Sequence, residues 1–245
     1  MTEYYNETEK EPIVAIVGNG NVACHLCRAF EGKAEVHEVN SRTFEGMPSF
    51  ADIVIIAVKD SAIEKVAQSL PGNYNIVAHT SGSVPVSVLE SCGHHYGVFY
   101  PLQTFSKDAA LDYSEIPFFI EGDCKESYDA LTRLALSVSA SVYGADSEKR
   151  KTLHLASVFA CNFSNCLMGI ADDILSRHDI DRHVLLPLLR QTVAKLDYMS
   201  PREAQTGPAS RRDTPVMESH REMLIGMGKR DLAELYAKLS EQIIH

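Results

Sequence analysis

The segment Ile13–Phe30 constrains this chain more than any other. A β-branched apolar run, Ile13–Val17, passes directly into Gly18-Asn19-Gly20-Asn21-Val22-Ala23, and a helix-like stretch, Val22–Phe30, follows. A lone pair of glycines is weak evidence, but this GxGxxA pattern sits between a strand and a helix, the context that gives it meaning. Gly18 permits the tight turn, Gly20 lets backbone approach a pyrophosphate, and Ala23 keeps the helix close to the sheet. The first-turn N–H groups of that helix then face the anion. The loop Gly18, Asn19, Gly20, Asn21, Val22 and Ala23 is therefore expected to hold a dinucleotide.

Further apolar runs recur at Val36–Val39, Ile53–Val58, Ile76–His79, Val98–Tyr100 and Phe118–Glu121. Continuous runs such as IVIIAV suit strands covered on both faces. Helical spacers are expected at Val22–Phe30, Ser61–Leu70 and Pro85–Ser91. Alternation of this kind predicts an α/β, Rossmann-like doubly wound sheet with right-handed crossovers. In such sheets ligands bind beyond the carboxyl ends of the strands. Val58 and Lys59 end the third strand, and Ser81 and Gly82 follow the fourth, so all four are candidate cofactor contacts. A plain Gly/Ser turn before Pro85 accounts equally well for the second pair.

The second strand decides between NAD and NADP. Glu38 stands near the spacing of an acid that holds a ribose hydroxyl. The loop Asn40-Ser41-Arg42-Thr43 follows, however, and Ser41, Arg42 and Thr43 form a good 2′-phosphate site, since Arg binds phosphate bidentately. NADP is the expected cofactor.

The pattern changes after Asp146. From Thr152 to Ala171 there are 20 residues without Asp, Glu, Lys or Arg. His154, Ser157, Asn162, Ser164 and Asn165 interrupt this stretch and would be expensive in lipid, so a buried central helix is expected rather than a membrane span. Leu153, Ala156, Ala160, Phe163, Leu167, Ile170 and Ile174 form an apolar seam at helical spacing, and Lys151, His154, Val158, Asn162 and Asn165 share a polar face. Uncharged polar groups there suit an enclosed cavity or another subunit; buried Asn and His satisfied within the core are the plainer alternative. Further helices are expected at about 180–197, 214–226 and 229–243, with Asp213 or Thr214 as a cap. The domains are thus 1–146, binding the nucleotide, and 147–245, all-α. So apolar a helix needs more cover than about 95 residues give, which predicts a homodimer.

The order of motifs resembles the pyrroline-5-carboxylate reductase and 6-phosphogluconate dehydrogenase group. More closely it is similar to a bacterial family provisionally named as NADP oxidoreductases, with a Rossmann-like domain before a helical domain of unknown function. GNGNVA, NSRT, DIVIIAVKD, HTSGS, YPLQTF, HLASVFACN and TGPASRRD carry the resemblance, the last and HLASVFACN most specifically. It implies NADP in the cleft and a small substrate between the two domains, with His154, Asn162, Thr206 and Arg211 near that substrate. Relatives often have His-Pro where this chain has Tyr100-Pro101, so a proton role there passes to a phenol or is absent.

The expected chemistry is hydride transfer between NADPH and a C=N or C=O carbon. His154 is the first candidate for general acid, Lys151 the alternative, and Asn162 a holder of the substrate heteroatom. The rival readings are a non-catalytic NADP-binding sensor or scaffold and a deazaflavin-dependent NADP reductase. No metal is expected: His79, His94 and His95 lack HExxH or paired Cys/His spacing. Cys24 and Cys27 lie within the helix after the glycine loop and read as packing.

Charge places the partners. Residues 1–145 carry 19 acids against 9 bases, and residues 146–245 carry 14 of each. A net charge of −10 argues against nucleic acid. It leaves room for a phosphate held locally by loop amides and Arg42. Lys149-Arg150-Lys151 and Arg211-Arg212 read as basic clusters facing the acidic domain or an anionic substrate. The polar start MTEYYNETEK and scattered cysteines fit a reduced, cytoplasmic protein without a membrane anchor.

Overall fold

The computed structural model describes residues 11–72, 74–92 and 95–244; the initial MTEYYNETEK and His94 lie outside them. Its contacts divide the chain into two units, the first ending at Cys166 and the second running from Leu167 to His245.

The first unit is built on a seven-stranded sheet in the order β2-β1-β3-β4-β5-β6-β7. The strands are β1 (Ile13–Val17), β2 (Glu35–Val39), β3 (Ile53–Ile56), β4 (Ile76–His79), β5 (His95–Pro101), β6 (Phe118–Gly122) and β7 (Val142–Gly144). Alternate residues of one strand serve opposite faces. Val14 and Ile16 join Ile53, Ile55 and Phe99 in one core, while Ala15 and Val17 join Val54, Ile56 and Val77 in the other. That double burial is why the apolar runs are continuous. The helices α1 (Asn21–Ala29), α2 (Ile63–Gln68) and α3 (Lys125–Leu136) connect strands, and Val86–Cys92 is a 3-10 turn. The Rossmann-like α/β architecture is the expected one.

Two features differ from the expectation. β6 runs antiparallel to β5, with Gly97 opposite Gly122 and Pro101 opposite Phe118. Residues 102–117 contain only a 3-10 turn at Tyr113–Glu115, so no crossover helix returns the chain to a parallel start. The sheet also gains β7, and α3 precedes it, in a stretch where the sequence patterns predict no element.

After β7 a helix runs from Ser147 to His178. Asp146 caps it by accepting from the Lys149 N–H at 2.8 Å. It comprises α4 (Ser147–Ser157), a π-helical turn (Val158–Phe163) and α5 (Ser164–Leu175). A π turn takes about one residue more than an α turn, setting everything beyond it back by roughly 100°. The seam from Leu153 to Ile174 and the polar face from Lys151 to Asn165 are therefore each broken at the bulge. Nor is the helix buried: Leu155, Phe159 and Phe163 are 60%, 64% and 48% exposed. Its uncharged composition reflects an uncovered apolar surface, long and apolar enough to cross a membrane by length and composition alone.

The second unit continues with α6 (Leu186–Ala194), α7 (Thr214–Gly226) and α8 (Arg230–Ile244). Asp213 caps α7 by accepting from the Val216 N–H, and His220 and Tyr236 tie α7 to α8 at 3.0 Å. Many of its large apolar side chains are exposed, among them Val184, Leu188, Val193, Leu196 and Met223.

Candidate active site

The sheet reverses its winding between β1 and β3, and a cleft of about 870 Å³ opens at that point. Its floor is the glycine turn. Gly18 has φ +142°, and a Cβ there would lie 2.2 Å from the Ala57 carbonyl oxygen, so only glycine fits. Its N–H donates to the Val39 carbonyl at 3.0 Å. Gly20 faces open space, with nothing within 4 Å of where a Cβ would stand, and it brings no side chain to cap α1. The first-turn N–H groups of α1 thus remain available to an anion. Ala23 lies in the core against the sheet, as close helix packing requires.

The cleft wall after β2 is shaped by Asn40. Its Oδ1 accepts from the N–H groups of Arg42 at 2.9 Å and Thr43 at 3.2 Å, closing a turn that sets Ser41 and Arg42 at the cleft. Thr43 lies outside the lining, and its hydroxyl accepts from the Glu45 N–H. Lys59 and Lys65 add two more cations, and no carboxylate appears among the lining residues. Glu38 faces away, hydrogen-bonding the Cys27 thiol on α1. Burial first, then the charge of Glu38, pushes that thiol up to about 12. An acidic unit thus carries a locally cationic cleft. Its residues fit a phosphorylated dinucleotide: Gly20 and the α1 terminus at the pyrophosphate, Ser41 and Arg42 at a 2′-phosphate. Asn19, Asn21, Val22 and Val58 also line it; sequence reasoning misses Asn40 and Lys65 as lining residues.

Thr80 ends the cleft lining, and the HTSGS loop leads from it to a second group of residues. Ser81 Oγ accepts from the N–H groups of Ser83 and Val84, so its hydroxyl holds the turn. Gly82 lies beneath two rings. A Cβ there would meet Tyr100 Cζ at 2.7 Å and His154 Nδ1 at 2.9 Å. Tyr100 Oη and His154 Nδ1 are 3.2 Å apart, and the rings meet edge to face. Burial pushes the Tyr100 phenol up, while the Ser157 hydroxyl and the charge of Arg150 pull it partly back. The phenol therefore keeps its proton, and the direction of its hydrogen bond with Nδ1 follows the imidazole tautomer.

Arg150 builds this corner. Read in sequence as part of a basic cluster facing the acidic domain or an anionic substrate, it is completely buried. It ion-pairs with Glu121 from β6 and donates from Nε to the Ser81 carbonyl at 3.0 Å. Its Nη2 donates to the Val84 carbonyl at 2.5 Å. The guanidinium thus fastens the HTSGS loop to the start of the long helix. His79 lies beside it, buried, with Nδ1 accepting from the Ser81 N–H at 3.1 Å. Burial, then the charge of Arg150, lowers its pKa to about 4, so it is neutral.

Lys151 and Asn162 are not drawn into this group. Lys151 is exposed on α4, and Asn162 is exposed in the π turn. Thr206 and Arg211 are exposed in the second unit, on the loop before α7.

A glycine turn between β1 and α1 and a cationic cleft at the winding reversal define a dinucleotide-binding protein of Rossmann type. Residues 116–243 match the family model described as a domain of unknown function, DUF2520. A solved Bacteroides fragilis protein, provisionally named an NADP oxidoreductase, is 35% identical, covering 96% of this chain and 98% of its own at a TM-score of 0.88. The chain belongs to the DUF2520 family. An Aspergillus terreus reductive aminase, solved with NADPH and ethyl levulinate, shares the fold at 15% identity. That match covers 96% of this chain and 93% of its own at a TM-score of 0.66. A Coxiella burnetii pyrroline-5-carboxylate reductase does so at 14% identity, 96% and 97% coverage and a TM-score of 0.55. No curated protein matches the chain.

Proposed function

We propose that this protein reduces a C=N or C=O bond of a small substrate with NADPH. That it is an NADP-dependent oxidoreductase rests on its family, on the Bacteroides relative's name and on the cationic cleft. The observation that carries the finer reading is the Tyr100–His154 pair, held over Gly82 on the loop that follows Thr80 of the cleft lining. A scaffold or sensor needs no such pair.

NADPH, when bound, supplies the hydride. The chain handles the proton. In this reading Tyr100 donates to Nδ1 and His154 carries a hydrogen on Nε2. As hydride reaches the substrate carbon, Nε2 gives its proton to the substrate's nitrogen or oxygen, and Nδ1 takes the phenol's. The phenolate left behind is stabilised by the charge of Arg150 and regains a proton from solvent. The phenol that replaces the His of relatives thus backs His154 rather than acting alone. Asn162, Thr206 and Arg211 enter as substrate contacts, and Lys151 as a secondary donor, on resemblance and helix pattern only.

The same reading takes the all-α domain to begin at Ser147, just after its cap, and to pair with a second copy of this chain. Support comes from the exposed Leu155, Phe159 and Phe163 together with the exposed apolar residues of the second unit. Exposed apolar patches beyond a few hundred Å² are unusual on a monomer. His154, Asn162 and Asn165 disfavour lipid as its cover. Light scattering should give twice the chain mass.

The test of function begins with thermal denaturation in NADPH and NADH, where a ligand at 100 times its Kd adds about 2.7 kcal/mol. NADPH oxidation is then followed over imines and 2-oxo acids. His154→Gln should cut kcat by roughly 10²–10⁴-fold while the NADPH shift persists. Full activity in that variant would remove the acid role.

A further inference from the structure

At the amino end of β5, three metal-ligating side chains converge. His95 opens β5, five residues before Tyr100 and so roughly 16 Å from it along the strand. Asp123 and Cys124 follow the last residue of β6. Because β6 returns antiparallel, Gly97 pairs with Gly122, and the start of one strand meets the end of the other. This juxtaposition of residues 28 apart is what no local spacing could reveal.

Nδ1 of His95 lies 3.2 Å from Asp123 Oδ2 and 3.4 Å from Cys124 Sγ. All three ligand atoms lie within 4.8 Å of one another. A tetrahedral ion with bonds of about 2.0 Å to N and O and 2.3 Å to S would set N···O near 3.3 Å and N···S near 3.5 Å. The observed separations match those edges. A hydrogen-bond account serves them less well, because Nδ1 has one in-plane position and two partners compete for it. The carboxylate is aimed by its other oxygen: Asp123 Oδ1 accepts from the Tyr96 N–H at 3.0 Å and from Ser127 Oγ at 2.7 Å. Such support commonly orients metal-bound carboxylates. Cys124 is the cap of α3, which fixes its sulfur beside the strand ends. His95 and Asp123 are exposed and Cys124 half-buried, so an ion can reach all three.

We propose that His95 Nδ1, Asp123 Oδ2 and Cys124 Sγ bind one divalent ion of the zinc class, with solvent as the fourth ligand. Nitrogen, oxygen and thiolate donors in a tetrahedral arrangement select zinc or cobalt over magnesium or calcium, which prefer all-oxygen sites.

Cobalt(II) added to the metal-free, full-length protein tests this. One equivalent per chain should produce thiolate-to-cobalt charge-transfer absorption and tetrahedral d–d bands, and zinc should displace both. Cys124→Ser should abolish the charge-transfer band; serine is itself a favoured helix cap, so α3 keeps its start. His95→Asn, at an exposed side chain, should abolish stoichiometric binding. Ser127→Ala should weaken it about 10–100-fold. The NADPH-induced thermal shift should persist in all three and reports that the sheet is intact. A wild-type protein without the band overturns the proposal. So does a band that survives in Cys124→Ser or His95→Asn, which would belong to another cysteine.

Discussion

Replacing Arg150 with Met tests whether one buried cation organises the corner of the site. The guanidinium is fully buried, and its partner Glu121 is 15% exposed. Arg150→Met keeps the bulk but removes the ion pair and the donors to the Ser81 and Val84 carbonyls. Stripping one partner from a buried pair costs about 3–5 kcal/mol. Glu121 retains two supports here, from the N–H and the hydroxyl of Ser147, which moves the expectation to the lower end, about 3 kcal/mol. At roughly 2–4 °C per kcal/mol for a chain of this size, the melting temperature should fall by about 6–12 °C. The assay is scanning calorimetry, read on the transition that NADPH raises, since the two units need not melt together. Adding Glu121→Gln should recover at least half the loss, because the amide can still accept from Ser147 and no unpaired charge stays buried. Arg150 positions Gly82 without touching substrate, so kcat should fall while NADPH still raises the melting temperature. A single variant within about 1 °C of wild type, or a double variant no better than the single, would refute the reasoning.

Other outcomes follow from the same geometry. The folded His79 titrates near 4 and the unfolded one near 6.5, so the unfolded chain binds more protons between those values. Stability is fully present above pH 6.5 and is lost as pH falls toward 4, by about 3 kcal/mol. Urea midpoints at pH 7 and 4.5 should therefore differ less in His79→Asn, whose amide can still accept from Ser81. Arg42→Ala should weaken NADPH about 10–100-fold and leave NADH unchanged in fluorescence titration, the worth of charge-assisted bonds to a phosphate. Gly82→Ala drives a methyl into both rings of the Tyr100–His154 pair. Steady-state kinetics should show kcat falling about 10-fold or more with NADPH affinity retained, since overpacking costs about 1–3 kcal/mol.

Some of this was legible because single residues announce local physics. Ile53–Ile56 and Ile76–His79 are apolar on both faces, so their runs read as central strands, and Gly18 admits no side chain. Direction is different. Nothing in Phe118–Gly122 states that it pairs antiparallel; the clue was the lack of a helical spacer after Pro101. Val142–Gly144 is three residues long with an exposed Tyr143, too short to carry a period. Arg150 reads as one of a basic cluster because Lys149 and Lys151 flank it, and nothing local names its counter-charge, which lies 29 residues away. Lys65 joins the cleft only because α2 turns it there. The long helix misleads for another reason: an uncharged sequence states that cover is needed, not which chain provides it.

The π turn at Val158–Phe163 has a consequence in the language of insertion and deletion. One residue more than a helix needs is what a single insertion leaves behind when the helix is already fastened ahead of it. Here Asp146 and Arg150 are the fastening, and both lie upstream of the bulge. A length change within Val158–Phe163 can therefore re-aim Ser164, Asn165 and Cys166 by about 100° while His154 stays over Gly82. Variation in the surface that follows the bulge is thereby separated from variation at the Tyr100–His154 pair.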